Sequence, residues 1–165
     1  MGELQFGPGA MDPYTTNGPE LVRIDSTGTG EAYPVTGWAF DASTKESLTI
    51  RGRIPSFASG LTVALDWYSR SGSTTGNVVW GERIGCQTPG DAQSMEAKTL
   101  ATANTQTTAV NGTAKGLTRT TITISNTDSL ASDDFFEMDI YRDAANGSDT
   151  MTGDAVLRLA TVKWS

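Results

Sequence analysis

From residue 35 onward, apolar side chains recur at every second position in segment after segment, and this constrains the fold more than any other feature of the chain. A period of two puts alternate side chains on opposite faces of a strand. In 47–54, Leu48, Ile50 and Ile54 share one face, with Thr49, Arg51 and Arg53 opposite. In 60–68, Leu61, Val63, Leu65 and Trp67 share a face, with Thr62, Ala64, Asp66 and Tyr68 opposite. The theme returns in 35–41 (Trp38, Phe40), 77–86 (Val78, Trp80, Ile84, Cys86), 117–125 (Ile122, Ile124) and 134–142 (Phe136, Met138, Ile140). The last segment, 154–164, carries Val156, Leu157, Leu159, Val162 and Trp164. Turn-forming residues separate these segments at 41–44, 56–60, 69–76 and 144–153. An eighth strand is expected within 93–110, at 93–97 or 105–110, and no segment holds a helical period over three turns.

Strands with one apolar face must bury it against one another. The expectation is an all-β fold, a two-sheet antiparallel β-sandwich, with a jelly roll as first topology and an immunoglobulin-like sandwich as second. Composition agrees: charged residues are only 19% of the chain, and Thr, Ser and Gly fill the space that Glu, Lys and Leu take in helical proteins. At 165 residues the chain is one domain's worth. We divide it into an extended N-terminal arm, 1–34, and a β-sandwich domain, 35–165, with a Thr/Ala-rich excursion at about 87–116. The arm holds Pro8, Pro13, Pro19 and Pro34, and Leu21, Val22 and Ile24 form at most one short strand there. Leu4, Phe6, Met11, Tyr14, Leu21 and Val22 have no local core in this reading, which makes them candidates for gripping a partner.

The chemistry is sparse. With no histidine, Ser–His and Cys–His catalysis and histidine metal sites are excluded. The lone cysteine, Cys86, reads as a small buried hydrophobe and permits no internal disulfide. Gly28-Thr-Gly30 lacks the rest of any phosphate-binding motif. Asp66, Glu82, Glu137 and Asp139 are carboxylates in strand patterns, expected on solvated faces; a glycosidase would need two of them facing each other roughly 5–9.5 Å apart. A calcium loop over 143–149 with Asp154 beyond it departs from EF-hand spacing and reads as a polar hairpin turn, while Asn111-Gly-Thr113 and Asn146-Gly-Ser148 read as chance sequons. Tyr68, Tyr141 and Trp164 are candidates for outward-facing aromatics able to contact sugar rings, or else edge packing. The net charge of −7 and scattered basic residues argue against nucleic acid as a partner. No apolar run approaches a membrane span, and the first residues lack the pattern of a secretory leader, so a soluble chain made in a cytoplasm is expected. The expectation is no catalytic residue, no cofactor and no metal.

The order of signals across 38–164 resembles a family of small tailed-bacteriophage virion proteins. The carriers are Trp38-Ala-Phe40-Asp41-Ala42, the Ile54-Pro55 step with Ser59-Gly60-Leu61 after it, Gly76-Asn-Val-Val-Trp80 and Thr120-Thr-Ile-Thr-Ile124. Later carriers are Asp133-Asp134, Tyr141-Arg142-Asp143 and 149–157. The resemblance implies a jelly-roll-like virion component, often trimeric, assembled in the host bacterial cytoplasm. The expected function is therefore a capsid decoration (cement) protein that binds the major capsid protein and its own copies as a homotrimer. The alternative is a tail appendage or fibre-tip domain binding host surface glycan; a carbohydrate module outside phage and a glycan-active enzyme are the further readings.

Overall fold

Alternating apolar residues become strands throughout the computed structural model, which describes residues 1–57 and 59–165. Among the described residues eleven strands follow in chain order: β1 (Gly2–Phe6), β2 (Asp12–Pro13), β3 (Glu20–Asp25), β4 (Pro34–Phe40), β5 (Glu46–Arg53), β6 (Thr62–Ser69), β7 (Asn77–Gln87), β8 (Asn104–Ala109), β9 (Thr118–Thr123), β10 (Phe135–Arg142) and β11 (Ala155–Trp164). Of the turn predicted at 56–60, residue 58 lies outside the described residues.

The first sheet runs β3-β4-β11-β6-β9, with β1 also paired to β11; the second runs β2-β5-β10-β7-β8. Every pairing is antiparallel. From β4 to β11 the chain changes sheet at each step except the β7–β8 hairpin. This is the jelly-roll sandwich expected from the pattern, and the eighth strand takes the later of its two predicted places.

The inner faces hold the residues that the alternation aligned. Leu48, Ile50, Ile54, Val63, Leu65, Trp67, Val78, Trp80, Phe136 and Ile140 are all fully buried. Phe40 meets Trp80 edge-on at 4.9 Å between ring centroids, and Trp67 lies 6.0 Å from Trp80. The indole N–H of Trp67 is satisfied by Thr120 Oγ1 at 2.9 Å, which makes an inward threonine tolerable on β9.

The N-terminal segment corrects the expectation of a free arm. β1 pairs with β11 from Gly2↔Trp164 to Phe6↔Ala160, β2 with β5 and β3 with β4. Phe6 and Met11 sit in the main core, Val22 in a small cluster on the outer face of the first sheet, and Leu4 packs against the core edge. Tyr14 and Leu21 remain exposed. The apolar groups read as partner-seeking thus close their own domain, because Phe6 and Met11 fill the core beside β5 and β10. The 87–116 excursion also packs on its own chain: Ala101 N–H donates to Ile84 O at 2.8 Å, and Lys98 pairs with Asp128 at 2.6 Å.

One inward position is a cation. Arg142 has no exposed surface, and all its guanidinium donors are used. Its Nε and Nη2 reach the two oxygens of Asp149 at 3.0 and 2.7 Å, while the remaining bonds go to the carbonyls of Phe40, Met151 and Gly153. Asp149 also accepts from Val79 N–H at 3.0 Å. Removing one partner of a buried pair strands the other charge at a cost of about 3–5 kcal/mol. Asp149→Ala is expected to lower the urea unfolding free energy by about that amount; a loss below about 1 kcal/mol would mean that water reaches the pair.

Candidate functional site

The four carboxylates considered for hydrolysis are spread over both sheets, one on β6, one on β7 and two on β10. Asp66 lies on the outer face of the first sheet, held bidentately by Arg119 at 2.6 and 2.7 Å. Glu137 and Asp139 lie on the outer face of the second sheet, paired with Arg51 and Arg83. Glu82 corrects its expectation: it shares the inward parity of Trp80 and Ile84, has no exposed surface, and accepts from Asn104. Asp66 and Glu82 therefore belong to different sheets, with the core between them. The loop at 143–149 is committed elsewhere, since Asp149 is the partner of Arg142. Cys86 is buried as expected, and burial, with Asp128 and Asp134 nearby, pushes its thiol up to about 12, so it stays protonated.

The three candidate aromatics part ways. Trp164 is buried over Gly2, where any Cβ would stand 2.4 Å from the indole. Tyr141 lies on the outer face of the second sheet, but Lys45 Nζ sits 3.6 Å over its ring and Gly81 backs it, so no face is free for a sugar. Tyr68 lies on the outer face of the first sheet, at the bottom of a hollow of about 390 Å³.

That hollow is assembled from four strands and three connections, of which the β6–β7 turn gives Arg70. Tyr68 on β6 packs with Val22, Ala39, Val156 and Val35, an apolar cluster separate from the core. The β3–β4 hairpin supplies Tyr33, which is 63% exposed, and Ile24. Its loop is closed by Ser26: Ser26 N–H donates to Tyr33 O at 2.9 Å, and Tyr33 N–H donates to Ser26 Oγ at 3.0 Å. From the opposite side the β8–β9 loop brings Lys115 and Leu117. Asn111 stiffens that loop, its amide donating to Leu117 O at 2.9 Å while its oxygen accepts from Thr113 N–H at 2.9 Å. The apparent sequon is thus a turn-forming asparagine. Arg70 and Arg158 complete the charged rim, with Asp25 as the one carboxylate among the lining residues.

Sequence reasoning singled out Tyr68 and missed Tyr33, Arg70, Lys115 and Arg158. Arg158 had a signal: Leu157 is at an odd position while Val162 and Trp164 are at even ones, so the alternation of β11 must slip between them. A second hollow of about 320 Å³ lies where Gln87 and Phe135 face the loop at 88–95, and it has no cation in its lining. A third, of about 230 Å³, is lined by Glu20, Asp41, Glu46 and Asp154 and offers no aromatic surface.

No family model matches the chain. No curated protein sequence matches it either. Solved structures do match in fold. A family 35 carbohydrate-binding module from Clostridium thermocellum aligns over 100% of both chains at 13% identity, with a TM-score of 0.54. A module of the same family from Cellvibrio japonicus aligns over 99% of this chain and 95% of its own at 10% identity, also at 0.54. A family 11 module from Clostridium thermocellum, solved with a β-1,3-1,4-mixed-linked tetrasaccharide, aligns over 99% of this chain and 96% of its own at 9% identity, with a TM-score of 0.50. At such identities the likeness is one of fold. It corrects the expectation of a capsid decoration protein: these neighbours are carbohydrate-binding modules, and the arm on which capsid gripping rested is built into the sheets.

Burial raises the Glu82 carboxyl from 4.5 to about 7, with the nearby Asp139 charge adding to it against the Asn104 hydrogen bond. Between those values the native state keeps a proton that the unfolded chain has released. Stability from this group is therefore full below about pH 4.5 and lost as pH rises through about 7. Glu82→Gln is expected to flatten the fall in melting temperature between pH 4.5 and 8; an equal fall in variant and wild type would show that Glu82 ionises normally.

Proposed function

We propose that the chain is a non-catalytic glycan-binding module whose site is the hollow over Tyr68. The observation that carries this reading is the pairing of two tyrosines, one at the bottom and one exposed at the side, with hydrogen-bonding groups around them. A sugar ring offers an apolar C–H face and an equatorial fringe of hydroxyls. Tyr68 and Tyr33 supply apolar aromatic surface for the first, and Ser26, Thr27, Asp25 and Arg70 supply donors and acceptors for the second. The exposed Ile24 and Leu117 beside them extend the apolar surface, and such a patch with a polar rim is what binding sites present. The carbohydrate-binding modules that share this fold, one of them solved with a bound tetrasaccharide, support the same reading.

In the setting implied by the resemblance to tailed-phage virion proteins, such a module is a tail appendage or fibre-tip domain that binds host surface glycan. The sandwich would hold the hollow rigidly, since its walls are two loops fixed by side-chain hydrogen bonds, so little ordering cost is left for binding.

A glycan array probed with the whole chain tests this, followed by titration of any retained glycan. Saturable retention is expected. Tyr33→Ala is expected to weaken it by about tenfold, equivalent to about 1.4 kcal/mol, with an unchanged melting curve because that ring is exposed. Absence of retention on a broad array, or full affinity in the variant, would overturn the assignment.

A further inference from the structure

The middle of the first sheet contains an irregularity that moves the inward positions of β11 from Ala155 and Leu157 to Ala160, Val162 and Trp164. Along β11, Leu157 pairs with Trp67 but Leu159 pairs with Asp66, so Arg158 is the extra residue of a bulge. A bulge re-aims a side chain, and bulges gather next to binding and active sites. Here it turns Arg158 onto the outer face and into the hollow beside Tyr68. The neighbouring strand makes room: Gly37 on β4 lies under the arginine stem, and a Cβ there would stand 2.6 Å from Val156 Cγ1 and 3.2 Å from Arg158 Cδ. The carbonyl oxygen of Leu157 would stand 2.7 Å from the same Cβ, so the glycine is required first by the close approach of β4 to β11 and only secondarily by the arginine.

The guanidinium so placed is not used by the fold. Its Nε is buried with no hydrogen-bond partner, and Arg158 makes no ion pair among the described residues. A buried donor without an acceptor is costly, and a guanidinium fork is matched by a planar two-oxygen acceptor. The same hollow holds Arg70, whose Nη1 is shared between Glu20 and Asp154 at 3.4 and 3.3 Å, and Lys115, unpaired among the described residues. Arg70 is thus balanced by its own carboxylates, while Arg158 and Lys115 line the hollow without an ion-pair partner among the described residues, beside Asp25.

We propose that the hollow takes a carboxylate-bearing sugar, a uronate residue of an acidic polysaccharide, with Arg158 receiving the carboxylate and Tyr68 and Tyr33 contacting the ring. The proposal rests on the glycan-binding reading and narrows it to one ligand class. A sulfated sugar shares the oxyanion chemistry and can also meet a guanidinium fork with two oxygens, so the titration includes one. Lys115 then adds an attraction for an acidic chain that weakens with salt.

The test is titration of the whole chain with oligogalacturonate and oligoalginate, with the carboxyl-reduced form of each, and with a sulfated galactan. Reduction removes the charge and keeps the rings and linkages. The uronate forms are expected to bind at least about tenfold tighter than the reduced ones. Arg158→Gln is expected to erase that preference and Arg158→Lys to restore part of it, since an ammonium carries the charge without the fork. The wild-type preference decides the matter even if a variant folds poorly. Equal affinity for charged and reduced forms, or binding of the sulfated galactan alone, would overturn the uronate assignment and leave the glycan reading in place. Binding of no acidic or neutral glycan would overturn both.

Discussion

The buried Arg142–Asp149 pair ties together more of this molecule than any other contact. Arg142 ends β10 in the second sheet, yet one of its donors reaches Phe40 O at the end of β4 in the first. The rest hold Asp149, Met151 and Gly153 in the connection leading to β11. Asp149 in turn accepts from Val79 N–H on β7. One charge pair therefore fixes where the last strand enters the first sheet. Because all five donors are satisfied, the charge is tolerable in a dry interior. The strand that this pair launches is the one that carries the Arg158 bulge.

The site is a consequence of irregularities laid on that regular frame. A sheet with perfect alternation would present a flat outer face. Here the bulge in β11 and the glycine at 37 let a long cation lie across the strands, while the 26–33 and 111–117 loops rise on either side. The second sheet shows the contrast. Its outer face is equally rich in charge, but Arg51, Arg83 and Lys45 are spent on Asp12, Asp139 and the Tyr141 ring. Charges that neutralise one another leave nothing for a ligand, whereas Arg158 has no partner among the described residues.

Much of the fold was legible in the sequence for a simple reason. Apolar alternation has the same period as the pleat, so 47–54 and 60–68 announce both their strands and their buried faces. Of the N-terminal strands only β3 was legible, in Leu21, Val22 and Ile24. β1 has only Leu4 and Phe6 to show, and β2 is two residues long, so neither carries a period; each is a strand only because a neighbour supplies its hydrogen bonds. Glu82 misled because a carboxylate in an apolar row reads as the opposite face, while in three dimensions the sandwich edge tolerates it beside Asn104.

The site was legible in one residue, Tyr68, whose outward parity follows from the β6 pattern. Tyr33, Lys115 and Arg158 sit in two loops and a bulge, and local sequence says little about where such segments point. The sequence by itself determined an all-β chain, its main strands and their inner faces, because those depend on a period of two and on the burial of apolar surface. Only the tertiary structure decided which outer face is hollow, which cations stay unpaired and how four distant segments meet around one tyrosine. Those depend on contacts between residues more than a hundred positions apart, such as Val35 and Arg158, whose proximity no local pattern encodes.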